Sequence, residues 1–364
     1  MLGISLYPDK TVHEDDVRYL ERARSFGFST VFMSLLQVRP GDSEASLDRL
    51  RQCIRACHEH GFKVTLDINP MVFDYLPASP DDLSFFNEMG VDVLRMDGGM
   101  NGRLEAQMTH NPYGIGIEFN MSNNNAMLDM VYCYAPDPSR ISGSCNFYPQ
   151  RYTGMRLDDF VTVCQKYRQR HLPGAVFITS QHAEISPWPV CEGNCTLEIH
   201  RDLPLWLQAR HLKMMNLVDT WIIGNAYASD DELESVAREY GRALPVLEVQ
   251  LADGVTDFER EVVFGLTQRY RGDASGYMVR SIEGRRRYFC HELPAHLNAP
   301  IKRGDVLVLN HDYGQYSAEL QLALVDRPAD PRVNVVGHIV PEQLLLLDQL
   351  VPYQEFKLEE AVTC

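Results

Sequence analysis

Along the first two thirds of the chain, short apolar runs alternate with amphipathic helical stretches, and few folds can absorb that rhythm. The runs are Leu2–Pro8, Phe28–Leu36, Phe62–Ile68, Val91–Met96, Gly114–Phe119, Ile141–Phe147, Ala175–Thr179 and Thr220–Ile223. Between them lie helix-patterned segments at His13–Ser25, Leu47–His60, Asp81–Met89, Leu157–Arg170, Leu203–Met215 and Asp230–Tyr240. Glycines at 27, 61, 90 and 224 fall where a helix or strand must turn out of its path. Strands that alternate with helices pair in parallel, and eight such units close into a (β/α)8 barrel, the TIM barrel. An open doubly wound sheet is the competing arrangement, but no glycine-rich phosphate fingerprint follows the first run.

A barrel of this kind uses about 250 residues, and the chain has 364. From about Ala243 the rhythm changes to short strands separated by turns: Val246–Leu251, Tyr277–Ile282, Arg287–Phe289, Asp305–Leu309, Ala318–Val325 and Val333–Val340, with one helix near Pro341–Leu350. The expected α/β architecture is therefore a TIM barrel over residues 1–242 and a small antiparallel β-barrel over 243–364, the boundary falling between Tyr240 and Pro245.

Charge narrows the partners. With 50 acidic and 34 basic side chains the net charge is −16, a surface that repels nucleic acid and anionic membrane. An anionic ligand would need local arginines to overcome that background. No apolar run approaches the roughly 20 residues of a membrane span, and no export signal precedes Leu2, so the expected compartment is the cytoplasm. Nine scattered cysteines read as reduced thiols. Nothing fixes the oligomeric state, and a homo-oligomer stays open.

In a TIM barrel the chemistry gathers where strands end at their C-terminal side. The residues there are unusually polar: Asp9, Asp67 and Asn69, Asp97, Glu118 and Asn120, Asn146, Tyr148, Arg151 and Tyr152. The long loop after the seventh run adds His182, Glu184, Glu192, Glu198, His200 and Arg201, and Asn225 ends the eighth. A single carboxylate at a strand end is commonly a helix cap. Asp97 fits that reading poorly, since Val-Leu-Arg-Met precedes it and two glycines follow that allow close approach. Two or three carboxylates converging on one mouth is what glycoside hydrolysis needs, one to protonate the leaving oxygen and another to attack or to activate water. Tyr148 and Tyr152 could pack against a sugar face, and Arg151 and Arg201 have the planar fork that grips phosphate or carboxylate. A Schiff-base lysine is not in place: Lys63 is at the wrong end of its strand and Lys10 lies in a polar loop. Cys191, Cys195 and His200, with His182 nearby, have spacings outside the common zinc patterns, so no metal is expected.

The segment Asn146-Phe147-Tyr148-Pro149 with Thr153-Gly154 resembles an element of the bacterial 6-phospho-N-acetylmuramidase family. Members combine a TIM barrel with a cyclophilin-like domain and act in peptidoglycan recycling. Gly3-Ile4-Ser5-Leu6-Tyr7-Pro8 is similar to the family's opening strand, Asp67-Ile68-Asn69-Pro70 to its Asp-x-Ser-Pro, and Leu94-Arg95-Met96-Asp97 to its Leu-Arg-x-Asp. Glu192-Gly193, Thr196-Leu197-Glu198 and His200-Arg201 resemble its seventh loop. Arg280-Ser281, Gly304-Asp305, Tyr313-Gly314-Gln315-Tyr316 and Glu319-Leu320 resemble its second domain. The chain departs from the pattern at Cys145, where the family has His, at Asn69, where it has Ser, and in the Asn- and Met-rich segment Met108–Asp137.

The resemblance implies a hydrolase that splits 6-phospho-N-acetylmuramic acid from its neighbour without metal or nucleotide cofactor. On that reading Asp97 and Asp67 are the catalytic carboxylates with Glu198 in reserve. Asn120, Asn146, Tyr148, Tyr152 and His200 orient the sugar, and Arg151, Arg201 and Arg280 hold phosphate or the lactyl carboxylate. The rival functions are another phosphoglycosidase, a non-catalytic sensor of the same phosphosugar, and a sugar-phosphate isomerase.

Overall fold

A computed structural model of the protein describes residues 1–36, 44–288 and 290–361. The chain divides into two compact units: Met1–Leu212 with Asn216–Tyr240, and Gly241 onward with Lys213–Met215.

The first unit is a closed, all-parallel barrel of eight strands in sequence order: β1 (Leu2–Ser5), β2 (Thr30–Ser34), β3 (Lys63–Ile68), β4 (Val93–Met96), β5 (Gly116–Asn120), β6 (Ile141–Ser144), β7 (Gly174–Ile178) and β8 (Thr220–Ile223). β1 pairs with both β2 and β8, which closes the ring. The α-helices among the described residues are α1 (His13–Ser25), α2 (Glu44–Glu59), α3 (Ser84–Met89), α4 (Arg103–Met108), α5 (Met127–Tyr132), α6 (Leu157–Arg168), α7 (Leu205–Met215) and α8 (Asp230–Gly241). α4 and α5 are six residues each and lack the glycine stop that Gly90 gives α3. Several strands end before their apolar runs do. Leu6, Tyr7, Phe28 and Leu35 lie outside the ladders yet are fully buried, because the loops at both ends fold back onto the core. α1 shows the electrostatics expected of a helix, with Glu14, Asp15 and Asp16 in its first turn and Arg22 and Arg24 in its last.

Side chains alternate in and out along barrel strands, so register decides what fills the interior. Ser34 aligns with Asp67, Asp67 with Arg95, Arg95 with Glu118, and Glu118 with Ser142. The inward positions of β3 to β6 thus carry a continuous polar and charged row. The opposite arc is apolar: Phe32, Ala175, Phe177 and Ile222 form one buried cluster, with Phe147 packed against it.

The second unit contains β9 (Val246–Leu251), α9 (Asp257–Phe264), β10 (Gln268–Arg269), β11 (Met278–Ser281), α10 (Glu283–Tyr288), β12 (Asp305–Leu309), β13 (Leu320–Ala323), β14 (Val333–Ile339), α11 (Leu344–Leu347) and β15 (Glu355–Glu360). Its seven strands run in the order β10-β15-β9-β14-β12-β13-β11. The two ends of that order approach each other, the Arg271 N–H donating to the Arg280 carbonyl at 2.9 Å, so the sheet nearly closes. It is mixed, not purely antiparallel as expected, because the last strand, β15, returns beside the first, β9, in the same direction. The expected strand Arg287–Phe289 is corrected: Arg285, Arg286 and Arg287 belong to α10, without the alternation a strand requires, and Phe289 lies outside the described residues. No described helix is long and apolar enough to cross a membrane.

The apolar arc makes a measurable claim. Phe177 is buried among Phe32, Phe147 and Ile222, so Phe177→Ala should cost about 3–5 kcal/mol through lost burial and an unfilled cavity. A denaturant titration in which the midpoint barely moves would show that the cluster does not hold the barrel together.

Candidate active site

Arg95 is the unusual residue of the barrel. It sits mid-strand in β4 between Leu94 and Met96, points inward, and is 2% exposed. A buried guanidinium is tolerated only with its charge balanced and its N–H groups bonded. Nη1 donates to Asp67 Oδ1 at 2.5 Å and to Asp97 Oδ1 at 3.3 Å. Nε donates to Ser144 Oγ at 2.6 Å and lies 3.9 Å from Glu118 Oε1, while Nη2 donates to Asn146 Oδ1. Burial works against the guanidinium charge, but the attraction of Asp67, Asp97 and Glu118 outweighs it and keeps Arg95 protonated.

One cation cannot neutralise three carboxylates. Burial pushes the Asp67 carboxyl up to about 6; Arg95 opposes that rise, while Asp97 and Glu118 add to it. Burial also raises Glu118. These two carboxyls therefore release their protons at higher pH than free carboxyls do. Asp67 Oδ1 takes the Arg95 bond, which leaves Oδ2, 3.5 Å from Ser34 Oγ, to carry the proton. Asp97, at the end of β4, is the more open of the two, its side chain 31% exposed. Asn120, at the end of β5, holds it by donating to its carbonyl at 3.1 Å and to Oδ1 at 3.4 Å.

Above Arg95 the barrel mouth opens into a cavity of about 140 Å³ lined by Phe32, Ser34, Leu36, Asp67, Arg95, Asp97, Asn146, Phe147, Phe177 and Trp188. One wall is charged and the other is aromatic. A saccharide presents the matching pair of surfaces, hydroxyls at its edge and C–H groups on its face.

Residues 2–238 match the profile of 6-phospho-N-acetylmuramidase, N-terminal, and residues 245–359 that of 6-phospho-N-acetylmuramidase, C-terminal. The chain belongs to the 6-phospho-N-acetylmuramidase family. Among solved structures it is similar to an uncharacterized B. cereus protein, at 39% identity over 99% of each chain with a TM-score of 0.87. It is also similar to a conserved Enterococcus faecalis protein with an unknown function, at 24% identity over 99% of this chain and 96% of that one, with a TM-score of 0.69; there the likeness is of fold. No curated protein sequence matches the chain.

Asp67, Asp97 and Asn146 come together on Arg95, and Asn120 joins them through Asp97. The seventh-loop residues occupy other places. Glu198 is a loop anchor: Arg201 donates to both its oxygens at 2.8 and 2.7 Å, and the N–H groups of Tyr152 and Gly154 bond it at 2.8 and 2.7 Å. Chiefly through Arg201, that cradle holds its carboxyl down at about 2. A side chain at Gly154 would come within 2.6 Å of Glu198 Oε2. Arg201 itself is buried and also donates to the carbonyls of Tyr148, Glu192 and Gly193. It knits two loops together and has little left to offer an anion. His200 is fully buried against His211, 2.9 Å away, and does not face the cavity; burial lowers its pKa.

Tyr148 is more than half buried, in a bridge to Cys195, and Tyr152 stands 84% exposed. Arg151 pairs with the exposed Asp202 at 2.6 and 2.9 Å. With Arg201, Thr179, Ser180, Glu192 and Asn225 it lines a second cavity of about 450 Å³ among the loops after β7 and β8. Arg280 lies in the second unit and pairs with buried Glu319 at 2.8 and 3.1 Å. Glu118 faces the other end of the barrel, lining a cavity with Thr65, Val93 and Ser142. Asn69 caps the turn Pro70–Asp74. Gly99 makes room for Met127, whose Cε lies 2.0 Å from where a Cβ would stand, not for a ligand. Among the described residues, no group of three or more His, Cys, Asp or Glu is placed to hold a metal ion.

Reading strand ends alone missed Arg95, Ser34, Trp188 and the three phenylalanines. Arg95 had a signal: an arginine inside an otherwise apolar run needs carboxylate partners.

Arg95→Met should remove about 3–5 kcal/mol of stability, since it strands buried carboxylates without their cation. Without Arg95 the Asp67 pKa rises further above its unfolded value, so stability is retained at low pH and lost as pH rises through the folded value. Urea midpoints should therefore differ from wild type more at pH 8 than at pH 5. A difference that does not vary with pH would contradict the charge-balance account.

Proposed function

We propose that the protein is a cytoplasmic phosphoglycosidase that cleaves glycosides of 6-phospho-N-acetylmuramic acid. The observation that carries this reading is the pair of carboxyls, Asp67 and Asp97, bonded to one nitrogen of Arg95 in a mouth cavity with an aromatic wall. Family membership supplies the substrate class.

The chemistry follows from the charge distribution. A general acid works best with a pKa near the working pH. Asp67, pushed up to about 6 by burial, meets that requirement as the group that protonates the leaving oxygen. Asp97, more open and steadied by Asn120, faces the reacting carbon as its electrostatic partner. Asn146, fixed through Arg95, presents its amide to sugar hydroxyls. For the phosphate, Arg151 is the arginine with something to give. Its partner Asp202 is exposed, and exposed ion pairs contribute only about 0–1 kcal/mol, so a phosphate can displace the carboxylate cheaply. Phosphate sites in TIM barrels frequently use the loops after strands seven and eight, where Arg151 lines its cavity.

Chromogenic 6-phospho glycosides, together with the 6-phosphomuramyl disaccharide, test the reading. Wild type should turn over the muramyl compound. Asp67→Asn and Asp97→Asn should each lower kcat by about 10²–10⁴-fold. The wild-type kcat/KM should fall as pH rises through about 6, where Asp67 loses its proton, and Asp67→Asn should erase that limb. Tight binding without turnover across the panel would instead mark a sensor.

Arg151→Ala should raise KM for phosphorylated substrates by roughly 10- to 100-fold while leaving kcat within a few-fold, the signature of lost uniform binding. An unchanged KM would place the phosphate elsewhere.

A further inference from the structure

Among the described residues lining the mouth cavity, the carboxyl groups are Asp67 and Asp97 alone, and both are bonded to Nη1 of Arg95. Two oxygens bonded to one nitrogen at 2.5 and 3.3 Å are at most about 6 Å apart. That separation is below the roughly 6.5–9.5 Å that leaves room for a displacing water, and both carboxyls are tied to the guanidinium from neighbouring strand ends. β3 and β4 lie across the eight-stranded ring from β7 and β8. Across the ring stands Phe177 on β7, and Phe32 from β2 and Phe147 from just beyond β6 close on it edge-on at 4.9 and 5.1 Å between centroids. Leu36 and Trp188 complete the lining.

A glycosyl-enzyme needs a carboxylate free to attack the anomeric carbon from the face opposite the leaving oxygen, whereas Asp97 is held to Arg95 beside Asp67. An aromatic wall can act neither as nucleophile nor as base. It can seat a methyl group.

We propose that the nucleophile belongs to the substrate: the carbonyl oxygen of a 2-acetamido group attacks the anomeric carbon, with Asp97 receiving the acetamide N–H and Asp67 serving as acid and then base. This deepens the phosphoglycosidase reading and rests on it. In the first step a bond forms from the acetamide oxygen to C1 as the bond from C1 to the leaving oxygen breaks. That oxygen keeps the electron pair and takes the Asp67 proton. The acetamide proton passes to Asp97, which leaves a neutral oxazoline on the sugar. In the second step water attacks C1 and gives a proton to the Asp67 carboxylate. The oxazoline C1–O bond opens, and nitrogen recovers its proton from Asp97. Both carboxyls return to their starting states, and the product keeps its anomeric configuration. The acetamide methyl rests on the Phe32, Phe147 and Phe177 rings throughout, and Asn120 keeps Asp97 aimed at the N–H.

The test uses the unmodified full-length protein with aryl 6-phospho glycosides. They differ only at C2: acetamido, mono-, di- and trifluoroacetamido, and plain hydroxyl. Fluorine drains electron density from the carbonyl oxygen, so kcat/KM should drop stepwise, by at least about 100-fold across the acyl series, because the intramolecular attack supplies much of the acceleration. The hydroxyl compound should be inert, and NMR of the first product should show retained configuration. A flat acyl series, hydrolysis of the hydroxyl compound at a comparable rate, inversion, or a covalent glycosyl-protein mass after rapid quenching would each overturn the proposal while leaving a phosphoglycosidase. No aryl release from any member would overturn both.

Discussion

The charge of Arg95 constrains the structure more than any other single feature. A guanidinium in the middle of a barrel cannot be solvated, so the strands around it must supply acceptors at matching heights. They do so through register: Asp67 and Glu118 stand beside Arg95 on the flanking strands β3 and β5, and Ser144 and Asn146 reach it from β6 and just beyond. The polar arc of the barrel is therefore one cooperative unit, in which each residue's burial depends on the others. Burial of its carboxyl is what raises Asp67 to about 6, with Asp97 and Glu118 adding to the rise and Arg95 opposing it. The same buried charge that weakens the fold leaves a carboxyl of raised pKa at the mouth.

The aromatic arc compensates. Phe32, Phe177, Ile222 and Phe147 pack without a polar atom among them, and edge-to-face rings add favourable contact beyond their buried area. A TIM barrel packed this way on one side and charged on the other presents an asymmetric mouth. On the proposed function, a sugar entering it turns apolar C–H groups toward the rings and the scissile oxygen toward Asp67.

How much of this could be read in advance depended on the length scale of each signal. The barrel strands announced themselves because a parallel strand buried on both faces is an apolar run, while α4 and α5 were silent because they are as short as α3 but lack the glycine stop that Gly90 gives it. In the second unit α9 had a readable start, the box Thr256-x-x-Glu259, in which Thr256 Oγ1 caps the Glu259 N–H and the Glu259 carboxylate bonds back. The short β10 and the charged β15, whose alternate residues are Glu355, Lys357 and Glu359, had no such mark. Asp67 and Asp97 were legible as strand-end acids. Arg95 was visible in the same motif but lay one turn of the pleat too deep to be taken for a site residue.

The seventh loop shows why residue type alone misleads. Glu198, His200 and Arg201 are the types that catalysis uses, but a long loop crossing a barrel mouth needs those same types to satisfy its own backbone. Arg201 is used up in bonding three carbonyls and one carboxylate, and Glu198 in bonding two N–H groups and that arginine. Their bonds are short, so releasing either group to meet a ligand would part the loop after β6, which carries Arg151, from the loop after β7, which carries Trp188. Arg151 differs because its partner faces water and can be exchanged. The physical criterion separating the two arginines is the cost of replacing the present partner, and it falls on the solvent-facing pair. The same criterion divides the carboxylates: Glu198 sits in a saturated cradle, whereas Asp97 bonds Arg95 and Asn120 only at 3.3 and 3.4 Å and keeps a face to the cavity. A ligand can compete for a group held that loosely. Availability, more than charge or position along the loop, is what sets Asp97 and Arg151 apart from Glu198 and Arg201.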